Sequence, residues 1–395
     1  MLLSVACIIL VGLFSGWVCK KIKFPSLFGM IIGGIIIGPY ALGLIDESIL
    51  GISADIRKIA LVIILIRAGL KLKLSDLKKV GRPAILMCFL PACFEVIGMV
   101  LLAPPVLGIS LLDAAIMGAV VGAVSPAVVV PRMIKLIDEG YGTEKGIPQM
   151  ILAGASVDDV FVIVLFTTFT GLAEGGSVSV MSFVNIPVSI ITGAAVGFTV
   201  GIVLSLMFRK LKSEDTVKAI IVLALCISLC VLEDKFSYIV PFAALIGVMA
   251  MGVSIKRRDS DTAVRLSEKF DKMWVIAEIF LFVLVGASVK ISSVRDAGLN
   301  VIILLLGVLV FRMFGVFVCV SGTKLSMKER LFCMIAYTPK ATVQAAIGGL
   351  PLAMGLPCGE IVLTVSVAAI LLTAPLGAFG IDLTYKKLLS NLKSK

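Results

Sequence analysis

The sequence predicts an all-α polytopic membrane protein of about 13 transmembrane helices, arranged as two inverted six-helix repeats with discontinuous helices. Three observations carry that expectation. Hydrophobic residues make up 59% of the 395 positions and mean hydropathy is +1.14. Uncharged stretches of bilayer-spanning length recur from end to end. Basic residues alternate between loops: most of the 36 Lys and Arg fall in one set, whereas the opposite loops hold only Arg57, Lys58, Lys235, Lys290 and Arg295.

Span 1, at 1–19, ends in Trp17, Val18 and Cys19 rather than a small-residue cleavage site, so it reads as a span and not a signal peptide. Spans 2 and 3 follow at 26–45 and 56–70. GMIIGG, from Gly29 to Gly34, reads as a small-residue helix-packing pattern rather than a phosphate-binding loop. Span 4, at 83–103, carries Glu95. Span 5, at 111–131, is interrupted by Ser125 and Pro126, and span 6, at 148–172, contains Asp158 and Asp159. Span 7, at 181–207, holds a second packing pattern, GAAVGFTVG, from Gly193 to Gly201. Spans 8 and 9 lie at 217–232 and 238–254. The longest polar stretch, Lys256 to Lys272, reads as a linker-length cytoplasmic loop. Span 10, at 273–289, includes Glu278 as a helix-start acid or a hydrogen-bond acceptor. Span 11, at 298–320, carries Arg312; span 12, at 331–350, is interrupted at Thr338, Pro339 and Lys340; span 13 lies at 358–380.

The basic loops place the amino terminus outside and the carboxyl terminus in the cytoplasm, which requires an odd number of spans and suits a multi-pass protein of the cell membrane. The net charge of +11 then reflects topology and contact with anionic lipid, not nucleic-acid binding. The nine cysteines form no CxxC pair and read as small buried hydrophobes. With no histidine, proton chemistry must run on carboxylates and lysine. Nothing suggests nucleotide hydrolysis, an enzyme or a bound cofactor.

The charges inside spans are the functional candidates, because each costs roughly 2.5–3.5 kcal/mol at mid-bilayer even on the lenient insertion scale. They are Asp158, Asp159, Arg67, Glu95, Glu278, Arg312 and Lys340. Arg67, followed by Lys71 and Lys73, reads as a snorkelling residue near the cytoplasmic end of its span. The prolines at 126 and 339 each remove a backbone donor, so GAVVGAVSPAVVVP and AYTPKATVQAAIGG should expose unpaired peptide groups and half-helix dipoles at similar depth. Spans 1 to 6 begin outside and spans 8 to 13 inside. That gives inverted repeats at 1–172 and 217–380 joined by a connecting helix at 181–207. Superposing them matches span 5 with span 12 and sets Glu95 opposite Arg312, a structural charge pair.

GAVSPAVVVP, ASVDD and TPKATVQAA, with FRMFG and FLFVLVGASV, resemble the cation/proton antiporter superfamily, most closely its sodium/proton exchanger clade with an Asp-Asp motif. The resemblance spans nearly the whole chain with the motifs in order. It implies a thirteen- or fourteen-span fold with a dimerisation domain and a six-helix core of two crossed, unwound helices, working as a homodimer by an elevator-like movement. By position it makes Asp159 the carboxylate that binds cation and proton in turn, pairs Asp158 with Lys340, and lets Ser125 contribute polar atoms at the first crossover. The family's pH-sensing histidines have no counterpart here.

The residues suit that chemistry. Neighbours on a helix point about 100° apart, so Asp158 and Asp159 can face different partners. Sodium is a hard cation, matched by the oxygens of Asp159, Asp158, Ser125 and Thr338 and by carbonyls freed at a broken helix. The reading is exchange of Na+ or Li+ for H+ by competition at one carboxylate, with Lys340 as a second group able to release a proton. Alternatives are a K+/H+ antiporter or a sodium-coupled symporter of an organic solute on a similar fold. An intramembrane aspartyl protease is disfavoured, because its two acids must face each other from different helices.

Overall fold

A computed structural model describes residues 1–22, 24–72, 81–174, 180–210, 214–236 and 242–391. Lys23 and Lys73, which fall in the loops richer in basic residues, lie outside the described residues. The described residues form helices and no strand, apart from one isolated bridge between Tyr141 and Asn391. Eight of these helices are long and apolar enough to cross a bilayer.

Among the described residues each predicted span contains helix, residues 238–241 of span 9 lying outside them, and the departures have local causes. Span 2 is short, Ser26–Ile37, because Gly38 precedes Pro39 and takes the extended conformation that a following proline imposes. Span 4 is two helices, Arg82–Met87 and Leu90–Leu107, instead of one. Pro91 has no N–H to offer the carbonyl of Met87 four residues earlier, so the ladder breaks there. The stretch read as a loop from Lys256 to Lys272 is helical except at Asp259: Ala244–Arg258 ends before it and Ser260–Ala287 begins after it. Asp259 caps the second helix, accepting hydrogen bonds from the Thr262 N–H (3.0 Å) and hydroxyl (2.9 Å). Glu278 is therefore in a helix interior, not a first turn. Hydropathy marks where a helix is buried in lipid, and it underestimates a helix that continues into water.

The chain divides into two compact units, one of residues 1–54, 74–174 and 279–395, the other of 55–73 and 175–278. In the second unit, span 7 (Val180–Lys210) packs on span 9 through the predicted glycines. A Cβ at Gly193 would overlap the Ala243 carbonyl, one at Gly197 the Gly247 carbonyl, and one at Gly201 would come 2.7 Å from Met251 O. Backbone contact every four residues is what small residues permit between membrane helices. Gly197→Val is expected to lower stability by about 1–3 kcal/mol or more through that overlap. Gly51→Ala, with nothing within 4 Å of its Cβ, should stay within about 0.5 kcal/mol by thermal unfolding in detergent. Arg67 does not merely snorkel; it pairs with Asp271, which also takes Lys71 at 2.8 Å.

In the first unit, spans 4 and 11 lie close enough that a Cβ at Gly98 would come 2.7 Å from Phe311 and one at Gly315 would come 2.9 Å from Pro91. Each glycine sits three residues after a buried charge, Glu95 in one span and Arg312 in the other, so close approach and charge face each other. Spans 5 and 12 also match. Span 5 opens with a capping box of Ser110 and Asp113, span 12 with one of Ser326 and Glu329, and each then breaks in mid-course.

None of the nine cysteines is in a disulfide and seven are buried, in keeping with their reading as small hydrophobes.

Candidate functional site

The two breaks build the site. Span 5 runs Leu111–Val121, then Pro126–Glu139; span 12 runs Met327–Ala336, then Thr342–Ile347 and Leu350–Ala353. Proline takes the first position of the second half-helix at Pro126, where its missing N–H costs nothing. The interrupted segments touch: the Ser125 N–H donates to the Pro339 carbonyl at 2.7 Å.

A helix end leaves carbonyls without partners and carries partial negative charge. The carbonyls expected to serve a cation at the end of Leu111–Val121 are instead filled by the protein. Val121 accepts from Lys340 Nζ at 2.7 Å and from Gln344 Nε2 at 3.1 Å. Ala123 accepts from Gln344 Nε2 at 3.0 Å. Gly122, whose carbonyl Pro126 cannot satisfy, accepts from Arg312 Nη1. Two cations and an amide thus close one half-helix terminus: the Val121 carbonyl accepts twice, and those of Gly122 and Ala123 accept once each.

The buried charges form a chain of four. Lys340 Nζ lies 2.6 Å and 2.8 Å from the two Glu95 oxygens. Glu95 Oε2 takes Arg312 Nη1 at 2.6 Å, and Arg312 Nη2 reaches Asp158 Oδ2 at 2.9 Å. The structure therefore brings Glu95 and Arg312 together. It does not pair Asp158 with Lys340: Arg312 stands on Asp158, and Lys340 is held by Glu95. Two positive and two negative groups, each at most 1% exposed, neutralise one another in sequence. Asp158 Oδ2 is also bound by the Val124 N–H at 2.8 Å, and Arg312 Nε donates to the Tyr337 carbonyl at 2.6 Å.

Asp159 stands apart. Its carboxylate is 3% exposed, and among the described residues its Oδ1 has no hydrogen-bond partner. Ser125 Oγ and Asp158 Oδ1, both fully buried, are likewise unpartnered. An unsatisfied buried acceptor costs about 1–3 kcal/mol, more if charged, so these three suit an occupant that supplies positive charge or a proton. Thr338, the remaining predicted ligand, donates its hydroxyl to Ile335 O at 2.8 Å, filling the carbonyl that Pro339 cannot satisfy and keeping only lone pairs for an ion.

Two participants were not singled out from sequence, Gln344 and Tyr337. An uncharged amide and a phenol within a span both need partners in an apolar medium, and that cost was the available signal.

Paired discontinuous helices crossing beside a buried carboxylate define a secondary transporter of the antiporter fold. The chain belongs to the sodium/hydrogen exchanger family, whose transmembrane model matches residues 7–387. It is 32% identical to sodium/hydrogen exchanger 9B2 of Homo sapiens over 381 residues, 93% of this chain and 70% of that protein. It is 33% identical to the 9B2 protein of Xenopus tropicalis, covering 98% and 75% of the two chains, and 31% identical to human sodium/hydrogen exchanger 9B1, covering 93% and 73%. The fold matches that of the sodium proton antiporter MjNhaP1 from Methanocaldococcus jannaschii at pH 8, with a TM-score of 0.85, 20% identity and 97% of each chain covered.

Proposed function

We propose that this protein exchanges Na+ or Li+ for H+ across the cell membrane by competition of cation and proton for Asp159. The observation that carries the reading is that Asp159, buried next to Asp158, is left outside the neutralised chain of Lys340, Glu95, Arg312 and Asp158, and among the described residues its Oδ1 has no hydrogen-bond partner. Burial penalises its charged form unless a cation or a proton sits on it, so the two ligands exclude each other and their fluxes couple. Asp158 Oδ1 and Ser125 Oγ are the neighbouring oxygens for a hard cation, with Thr338 adding lone pairs. Family membership supports antiport over the solute symporter, and the 9B relatives and MjNhaP1, named for sodium, support Na+ over K+.

The same geometry supports one proton per cation. Lys340 is engaged by Glu95 and the Val121 carbonyl, so its proton serves the fold, and the expected Asp158 partnership that would free it on cation binding is taken by Arg312. Exchange should then be electroneutral: clamping the membrane potential, worth roughly 2.3 kcal/mol per charge per 100 mV, leaves the rate unchanged. A rate that follows the potential overturns the one-for-one stoichiometry.

The rest of the reading comprises inverted repeats at 1–172 and 217–380 joined by 181–207, a homodimer, and an external amino terminus with a cytoplasmic carboxyl terminus. The matched capping boxes and the paired Glu95–Gly98 and Arg312–Gly315 spacings support the repeats. The loop charges support the orientation, and the family resemblance supports the dimer. The testing experiment is collapse of an imposed pH gradient in proteoliposomes on adding Na+, Li+ or K+ in turn. Na+ and Li+ should dissipate it; silence to all three, from mildly acidic to mildly alkaline pH, rejects antiport.

A further inference from the structure

Tyr337 has no part in the reading above, yet it touches most of the pieces that shape the site. It is fully buried, immediately before the Thr338-Pro339-Lys340 break. Its hydroxyl donates to the Met87 carbonyl at 2.9 Å, the carbonyl that Pro91 leaves without an intrahelical donor. Its ring lies 5.1 Å from the Arg312 guanidinium carbon, within cation–π range, and its own carbonyl accepts from Arg312 Nε at 2.6 Å. Gly154, one turn before Asp158 on span 6, makes room for the phenol: a Cβ there would stand 2.5 Å from the Tyr337 oxygen. One side chain thus joins the break in span 4, the break in span 12, the aspartate-bearing helix and the arginine that holds Asp158.

We infer that Tyr337 is a positioning residue for exchange: its hydroxyl, anchored on Met87 O, holds the Arg312 guanidinium on Asp158 and so sets how well a proton competes with the cation at Asp159. The inference rests on the antiport reading. Arg312 has Nε and Nη2 directed at the Tyr337 carbonyl and Asp158, so a shift of Tyr337 moves the arginine relative to the aspartate. When Arg312 compensates Asp158 less fully, the stronger negative charge beside Asp159 holds its proton more tightly, so at sub-saturating Na+ the site gives up that proton only at higher pH.

The experiment compares wild type, Tyr337→Phe, Gly154→Ala and the double variant in proteoliposomes, recording Na+-driven exchange across pH. Tyr337→Phe keeps the ring and removes only the anchor. Its pH profile should move in the alkaline direction by about half a unit or more. Gly154→Ala, which crowds the phenol from the opposite side, should move it the same way. In the Tyr337→Phe background the same glycine substitution should add less than it does alone, because of the two atoms it strikes the phenol oxygen is gone and Met87 Cβ, 2.9 Å from the added carbon, remains. A role confined to packing lowers turnover at every pH and leaves the midpoint in place. Unmoved midpoints in both single variants, or fully additive shifts in the double, overturn the inference while leaving antiport intact. A wild type that exchanges no cation overturns the antiport reading and this one with it. Should Tyr337→Phe not fold, Gly154→Ala alone decides by whether its midpoint moves.

Discussion

Asp159→Asn abolishes cation-driven collapse of a pH gradient, down to the rate of protein-free liposomes, while the protein folds as well as wild type. The substitution keeps shape and volume and removes the charge of a buried carboxylate whose Oδ1 has, among the described residues, no hydrogen-bond partner. No ion pair is lost, since Arg312 and Lys340 are held by Asp158 and Glu95. Stability should therefore stay within about 1 kcal/mol of wild type, or rise, because a buried ionised group is replaced by a neutral one. Binding offers a second readout that does not depend on turnover. A ligand present at a hundred times its dissociation constant stabilises the form that binds it by about 2.7 kcal/mol, so Na+ should raise the melting temperature of wild type and not of Asp159→Asn. Normal exchange by the variant would remove Asp159 as the carrier. A Na+-dependent thermal shift that survives the substitution would place the cation elsewhere.

The parts of this arrangement that were legible in the sequence are those governed by local rules. Spans could be read because crossing a bilayer demands length and apolarity together, and the breaks at Ser125-Pro126 and Thr338-Pro339 because proline disrupts a helix wherever it falls in mid-course. Inverted symmetry carried the argument further, from loop charges to the meeting of Glu95 and Arg312. It stopped at partner choice. Asp158 could have taken Lys340 or Arg312, and only the three-dimensional placement of Arg312, in reach of both Glu95 on span 4 and Asp158 on span 6, assigns it the arginine. The same holds for the carbonyls of Val121, Gly122 and Ala123. Sequence shows that a broken helix frees them, but not that Lys340, Arg312 and Gln344 arrive from distant segments to fill them. The split in span 4 is marked in the sequence only by Pro91, because hydropathy is continuous across the break.

That crowding around Arg312 determines what its loss should do. The guanidinium serves Glu95, Asp158 and the carbonyls of Gly122 and Tyr337, every one an acceptor and every one buried. Arg312→Gln leaves Asp158 without its cation and strands at least one carbonyl, a change expected to cost about 3–5 kcal/mol, as removing one partner of a buried pair does. Exchanging the two charges, as Glu95→Arg with Arg312→Glu, should not restore stability. A carboxylate at 312 would face Asp158 and two carbonyls with no proton to offer, and an arginine at 95 would stand against Lys340. Rescue should come instead from removing both ends of one pair. Arg312→Gln with Asp158→Asn eliminates the uncompensated carboxylate, so the double variant should lose less than the sum of the two single losses, by about 1–3 kcal/mol in a double-mutant cycle of thermal unfolding. Additive losses, or recovery on charge exchange, would mean that Arg312 answers to Glu95 alone and that the four charges do not act as one unit.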